Sequence, residues 1–193
     1  MGLEPDRFAA RRAFLLAGVR RGERVLDLGC GEGQFAAELM GAGAEVVAVD
    51  VAEEPLRRAR EAVPGLEARL LPAAGVWNLP DASFDVVWAG EVIEHVADTA
   101  SWLSETRRVL RPHGHLLLST PGHPLAVRLR AMLSARAFEG HFDPLSDHLR
   151  FYTRDGLRRL LEQFGFEDVS VRGAGRFPSA GRVLLASAVR SRF

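Results

Sequence analysis

Residues 25–35 read VLDLGCGEGQF, and this stretch decides how the rest of the chain is read. Arg24–Leu28 is an apolar run of strand length, Gly29-Cys30-Gly31-Glu32-Gly33 is a glycine turn, and the residues after it set Phe35, Leu39 and Met40 on one helical face. Strand, glycine cluster and helix in that order put backbone N–H groups and a helix N-terminus at the carboxyl edge of a sheet, where open α/β folds bind ligands. The glycines let the main chain approach a ligand with no Cβ in between.

The same alternation runs outward in both directions. Upstream, Asp6–Val19 predicts an N-terminal helix within residues 1–20. Downstream, apolar runs at 44–50 (AEVVAVD), 66–71, 84–89 (FDVVWA), 115–120 (HLLLST), 166–172 and 183–189 predict strands. Helical spacing covers 53–63, 102–110 and 154–164, the last with Thr153 as its N-cap and Gly165 just past its end. Strand and helix in strict turn predict an α/β fold, an open and largely parallel sheet covered on both faces. One segment breaks the rhythm. Residues 121–152 separate a strand from the next helix by about thirty residues, where connections usually take ~2–6. Leu125–Leu133 is expected to form a short helix there, and the insert is the candidate lid over an acceptor site.

Composition narrows the chemistry. A chain of 193 residues supports one domain, here 1–193, and hardly two. All 25 basic residues are arginine, which excludes a Walker-A lysine, a Schiff-base lysine and a pyridoxal attachment site. One cysteine, Cys30, makes no internal disulfide and no multi-cysteine metal site. The net charge of zero gives no whole-protein field toward nucleic acid or an anionic membrane. The first residues lack the apolar run of a signal peptide, and no apolar stretch reaches the ~18 residues of a membrane span. The expectation is a cytoplasmic protein with no membrane insertion and no nucleic-acid partner.

The glycine loop selects among ligands. A dinucleotide fingerprint is G-x-G-x-x-G, whereas here the glycines fall at 29, 31 and 33 and Gln34 takes the last position, which makes a nicotinamide oxidoreductase the weakest option. Asp27 and Glu32 repel a pyrophosphate and suit a ligand bearing an ammonium and a sulfonium. Asp50 ends the second strand, placed to accept hydrogen bonds from two ribose hydroxyls. An acid closing each of the first two strands favours a ligand loop over a plain tight turn.

On these residues the sequence resembles the class I S-adenosylmethionine-dependent methyltransferases, in the branch of the ubiquinone- and menaquinone-pathway methylases. The match is carried by VLDLGCGEGQF at 25–35, VVAVD at 46–50, LPDASFDVVWAGEVIEHVAD at 79–98, RVLRPHGHLLLSTPGHP at 108–124 and DHLRFYTRDGLRRLLEQFGFE at 147–167. The resemblance implies a Rossmann-like sheet of about seven strands with an antiparallel last strand. It implies S-adenosyl-L-methionine as cofactor and S-adenosyl-L-homocysteine as product. It sets Asp27, Gly29, Cys30 and Gly31 along the methionine and ribose, and Asp50 on the ribose hydroxyls. It sets Val51 beside adenine and Ala89, Gly90 and Glu91 at the methionine end. At the adenine amino group, where the family has an Asp-Ala pair, this chain has Ala73 and Ala74. Ala73 accepts no hydrogen bond, so adenine recognition falls to backbone groups and packing, with Trp77 a candidate.

Methyl transfer from a sulfonium is an in-line displacement, and alignment alone supplies about 7–11 kcal/mol of such a barrier. A general base is needed only for a protonated acceptor. His95, His123, His141 and His148 are the candidates, each with a packing or hydrogen-bonding role as its alternative. His141, Asp143, Asp147 and His148 have ligand chemistry but no standard metal spacing, and are expected to make turns, so no metal is expected. Arg107, Arg108 and Arg111 are expected to form a solvated helix face. The function read from the sequence is methylation of a small-molecule acceptor. A non-catalytic S-adenosylmethionine-binding protein of the same fold, and methylation of RNA or protein, are the alternatives. Oligomeric state leaves no mark in the sequence.

Overall fold

The computed structural model describes residues 5–143, 145–174 and 183–192. Its elements are α1 (Pro5–Ala17), β1 (Arg24–Leu28), α2 (Gln34–Gly41), β2 (Glu45–Asp50), α3 (Glu53–Ala62), β3 (Glu67–Leu70), β4 (Phe84–Gly90), α4 (Thr99–Val109), β5 (Leu110–Pro121), α5 (Leu125–Leu133), α6 (Ala135–His141), α7 (Arg154–Gln163), β6 (Phe166–Ala174) and β7 (Val183–Arg190). The seven strands form one sheet in the order β3-β2-β1-β4-β5-β7-β6. The chain starts at β1, winds outward to β3, then returns to β4 on the other side of β1. The crevice beyond the carboxyl ends of β1 and β4 is therefore the topological switch point, where open α/β sheets hold ligands. β7 slots antiparallel between β5 and β6, as expected of the last strand.

Alternate residues of the central strands supply two cores. Leu26, Val47, Val87 and Leu116 face one side and pack with Trp102 and Leu103 of α4 and Leu157 and Leu161 of α7. Val25, Val86, Trp88 and Leu117 face the other and pack with Leu15 of α1 and Leu39 of α2. Ala48 on that second face is small, which lets Leu56 and Ala59 of α3 close over it. Central strands covered on both faces explain why they read as continuous apolar runs.

Helix ends follow the residues expected of them. Thr153 accepts a hydrogen bond from the Gly156 amide, and Asp98 does the same for Ser101, which starts α4 three residues earlier than its apolar spacing suggested. Gly165, at φ +76°, reverses the chain after α7. Residues 121–152 contain two helices, α5 and α6, where one was expected. Ser134 caps α6 by accepting from the Ala137 amide, and the seven-residue helix is too short to show a periodic apolar pattern. Residues 1–4 of the expected N-terminal helix, and Pro144 of the insert, lie outside the described residues. Among the described residues no helix is long and apolar enough to cross a membrane.

Candidate active site

The loop after β1 turns on left-handed glycines: Gly29, Gly31 and Gly33 have φ of +76°, +53° and +82°. At Gly29 the requirement is steric as well, because a Cβ would stand 2.5 Å from Cγ2 of Val92. The amides of Gly29 and Cys30 both donate to the Val49 carbonyl, at 2.8 and 3.0 Å, which ties the loop to the end of β2. Asp50 completes the tie. Its Oδ2 accepts from the Gly31 amide and its Oδ1 from the Ala52 amide, each at 3.0 Å.

This loop forms one wall of a cavity of about 230 Å³. Gly29, Asp50, Val51 and Ala73 of the sequence-derived candidates line it, together with Leu71, Pro72, Trp77, Val92, Val96 and Trp102. His95 lines it too. Cys30, Gly31 and Ala74 adjoin these residues in the chain but are not part of its wall. Trp77 is buried and meets Trp102 edge to face at 6.4 Å. Its segment has little regular structure and is pinned by ions: the Trp77 amide donates to Glu105, while Arg108 donates to Glu105, Asp81 and the carbonyls of Trp77 and Leu79. The expectation of a solvated arginine face on α4 is thus corrected. Arg108 buttresses the cavity wall, and Arg107 reaches Gly165 and Ser191. Arg111 pairs with Asp85. The i, i+3 charge spacing on an amphipathic helix gave no sign of it, since the carbonyl partners come from a distant loop.

Asp27 sits beneath the loop, 1% exposed, with Oδ2 lacking any hydrogen-bond partner. Burial first, then the charge of Asp50, raises its pKa to about 7, against an opposing contribution from the Ala36 amide. The Cys30 thiol is pushed up to about 12, first by burial and then by Asp27 and Asp50, which removes it as a nucleophile.

Ala89, Gly90 and Glu91 stand at the end of β4, outside the walls of that cavity. Gly90 has a packing reason to be glycine, since a Cβ would lie 2.8 Å from the Trp88 ring. Glu91 is held in the left-handed region at φ +59°, where non-glycine residues are uncommon and cluster at functional sites. Its Oε1 accepts from Ser119 at 2.8 Å and lies 3.9 Å from Nη1 of Arg11, a buried guanidinium that also covers the Phe35 ring. No motif signals this contact between Arg11 of α1 and Glu91.

Glu94 is fully buried between β4 and α4. Thr120 donates to its Oε2 at 2.9 Å, its Oε1 has no partner, and its carbonyl accepts from the Leu149 and Arg150 amides. Burial, followed by the Glu91 charge, raises its pKa to about 8. The unfolded chain releases this proton near 4.5 and the folded one holds it to about 8. The associated stability is therefore complete below about pH 4.5 and drains as the pH rises to 8. Glu94→Gln is expected to gain on wild type across that window, with a melting-temperature difference on the order of 10 °C larger at pH 8 than at pH 5. Melting curves of the two proteins that stay parallel across that range would remove the assignment.

The four candidate histidines separate into two pairs. His95 stacks edge to face on His148 at 4.8 Å, its Nδ1 lying 3.0 Å from the Asp147 carbonyl. Glu94, His95 and His148 bring three ligand atoms within 4.8 Å of one another, a grouping that the 141–148 spacing did not suggest. The rest of that run makes turns: Asp143 accepts from the Leu145 amide and Ser146 from that of His148. His123 meets His141 edge to face at 5.0 Å and Phe151 at 5.2 Å in a second cavity, of about 270 Å³, under α5 and α6.

The family model for a methyltransferase domain matches residues 4–171. The chain belongs to the S-adenosylmethionine-dependent methyltransferases. A ubiquinone biosynthesis O-methyltransferase of Dinoroseobacter shibae is 35% identical over 163 residues, covering 79% of this chain and 63% of that protein. A probable S-adenosylmethionine-dependent methyltransferase of Mycobacterium tuberculosis is 37% identical over 150 residues, covering 77% and 50%. The chain thus spans between half and two thirds of these relatives' lengths. An S-adenosylmethionine-dependent methyltransferase structure from Mesorhizobium loti superposes with a TM-score of 0.72 at 24% identity, over 97% of this chain and 99% of that one, which is a likeness of fold.

The residues of this methyltransferase fit its cofactor. An ionised carboxylate offers about four lone-pair positions, and Asp50 uses two on the amides of Gly31 and Ala52, leaving two for vicinal hydroxyls. Asp27 has a buried oxygen without a donor, which a cationic group satisfies. At Gly29 the space a Cβ would need is taken by Val92, so the loop backbone itself forms the wall.

Proposed function

We propose that this methyltransferase transfers the methyl group of S-adenosylmethionine to an oxygen of a small molecule held beneath the α5–α6 lid. The observation that carries this reading is the second cavity. It is walled by Met132, Phe138, Phe142, Phe151 and Tyr152, with His123 and His141 as its imidazoles, and it matches a small ring system in size. Tyr152 connects it to the cofactor side: the tyrosine lines the lid cavity while its hydroxyl donates to the Ile93 carbonyl, two residues before His95 in the first cavity's wall. Relatives named as O-methyltransferases support oxygen as the acceptor atom.

When bound, S-adenosylmethionine supplies an electrophilic methyl carbon on its sulfonium and leaves as S-adenosylhomocysteine. Asp50 would hold the two ribose hydroxyls. Val51, Leu71, Pro72, Ala73, Trp77 and Val96 enclose adenine by packing, in line with the missing acceptor at Ala73. Asp27 and the Gly29–Gly31 backbone hold the methionine, with Glu91 and Arg11 bordering the carboxyl ends of β4 and β5. His123 is the proton acceptor. A carbonyl only accepts, so the contact of His123 Nδ1 with the Tyr152 carbonyl, at 3.3 Å, places the proton on Nδ1 and the lone pair on Nε2. Burial, more than any neighbouring charge, keeps the pKa of this imidazole below its ordinary value, which favours the neutral form that can take a proton. His123 would take the hydroxyl proton of the acceptor on Nε2.

A single-turnover assay with methyl-labelled S-adenosylmethionine tests the reading. Phenolic and aliphatic hydroxyl compounds are offered beside total RNA and denatured protein. Label is expected in the small-molecule fraction, with the rate for His123→Gln reduced about 10²–10⁴-fold at pH 7. Label only in RNA or protein, or cofactor binding with no transfer to any acceptor, refutes it.

A further inference from the structure

The first cavity changes chemistry from one end to the other. At the glycine loop it offers the Asp50 carboxylate, and beyond Asp50 its wall is Val51, Leu71, Pro72, Ala73, Trp77 and Trp102. Among the described residues of the wall, only Asp50 and His95 have a side chain that accepts a hydrogen bond. Asp50 serves the Gly31 and Ala52 amides and the ribose. His95 is turned to the 147–148 segment, with Nδ1 3.0 Å from the Asp147 carbonyl and its ring edge to face with His148. The two indoles only donate.

The main chain at this end is committed too. The Leu71 amide donates to the Asp50 carbonyl at 2.9 Å, and Pro72 has no N–H. The Trp77 amide donates to Glu105, while its carbonyl accepts from the Leu79 amide and from Arg108. Between these anchors residues 72–76 are all exposed, so the cavity meets water along Ala73. A carbonyl in that stretch is hydrated with or without a ligand, and exchanging water for an amino group there changes affinity little. Adenine and hypoxanthine present the same faces to apolar walls and differ at position 6, amino against oxo, and in the proton on N1. A site built to hydrogen-bond one group rejects an analogue lacking it by ~10⁴–10⁵-fold, because a buried partner is left unpaired. Among the described residues this end of the cavity has no such partner.

We propose that this methyltransferase does not read the 6-amino group of its cofactor, and that Ala73 leaves the site open to S-nucleosyl ligands carrying a 6-oxo or an N6-alkyl purine. Shape and packing by Val51, Leu71 and Trp77 select a purine, and the exposed 72–76 rim gives a larger substituent a way out to solvent. The inference rests on the placement of adenine in this cavity.

Calorimetric titration of wild type and Ala73→Asp with S-adenosylhomocysteine, S-inosylhomocysteine and N6-benzyl-S-adenosylhomocysteine tests it. Wild type is expected to bind all three with dissociation constants within about tenfold of one another. Ala73→Asp supplies an acceptor to the amino group and sets a carboxylate against a 6-oxo group. It is expected to widen the gap between the first two ligands by about 10- to 150-fold, the range for a charged acceptor, and to weaken the benzyl ligand as well. Ala73 is exposed, so the variant keeps the wild-type melting temperature. Wild type that binds S-adenosylhomocysteine and discriminates against either analogue by more than about tenfold overturns the proposal and leaves the cofactor assignment standing. An unchanged gap in Ala73→Asp overturns it too, because position 6 then lies away from residue 73. Wild type that binds none of the three overturns the proposal and the cofactor assignment together.

Discussion

Asp50→Ala is expected to weaken S-adenosylmethionine binding about 10- to 150-fold in calorimetric titration, the equivalent of 1.5–3 kcal/mol for hydrogen bonds to a charged acceptor. The carboxylate has a double duty, holding the Gly31 amide of the β1 loop and the Ala52 amide of its own while presenting its remaining lone pairs to the ribose. S-adenosylhomocysteine is expected to lose affinity by the same factor, because the two ligands share the ribose and differ only at the sulfur. An unequal loss would move Asp50 from the ribose toward the sulfonium. If wild type binds neither ligand, the cofactor assignment fails for this chain despite its family.

Gly29→Ala is expected to lower the melting temperature on the order of 10 °C and to abolish detectable cofactor binding. Two costs add. The left-handed backbone at φ +76° charges an L-residue roughly 1–2 kcal/mol, and the new methyl overlaps Val92, whose displacement costs about 1–3 kcal/mol in a packed wall. For a chain of this length each kcal/mol is worth about 2–4 °C. The combination with Val92→Ala separates the two: it recovers the steric part and leaves the backbone part. If the double variant loses the plain sum of the single losses, the clash is not the cause.

The strand assignments were legible because both faces of the central strands are covered. FDVVWA at 84–89 and AEVVAVD at 44–50 have no polar side to hide them, and they became β4 and β2. Asp50 and Gly29 were legible because their positions follow from the end of a strand, and a strand end at a switch point is a ligand wall in this topology. The buttress of Arg108 was not legible, since its partners at Trp77, Leu79 and Asp81 lie about thirty residues upstream and only the return of the chain brings them together. Arg11 escaped for the same reason: thirteen residues before the start of β1, it meets Glu91 only after α1 has folded across the sheet.

The sequence by itself determined the alternation of elements, the glycine loop, the acid at the end of β2 and, through them, the cofactor class, because each depends on residues near one another in the chain and on backbone rules that act locally. The tertiary structure alone decided which side chains share a cavity. It paired His95 with His148 and His123 with His141, buried Glu94 beside Thr120, and left the apolar face of α5 turned outward. Burial, pKa and exposure are set by what other segments bring to a residue, and no local pattern of spacing carries that information.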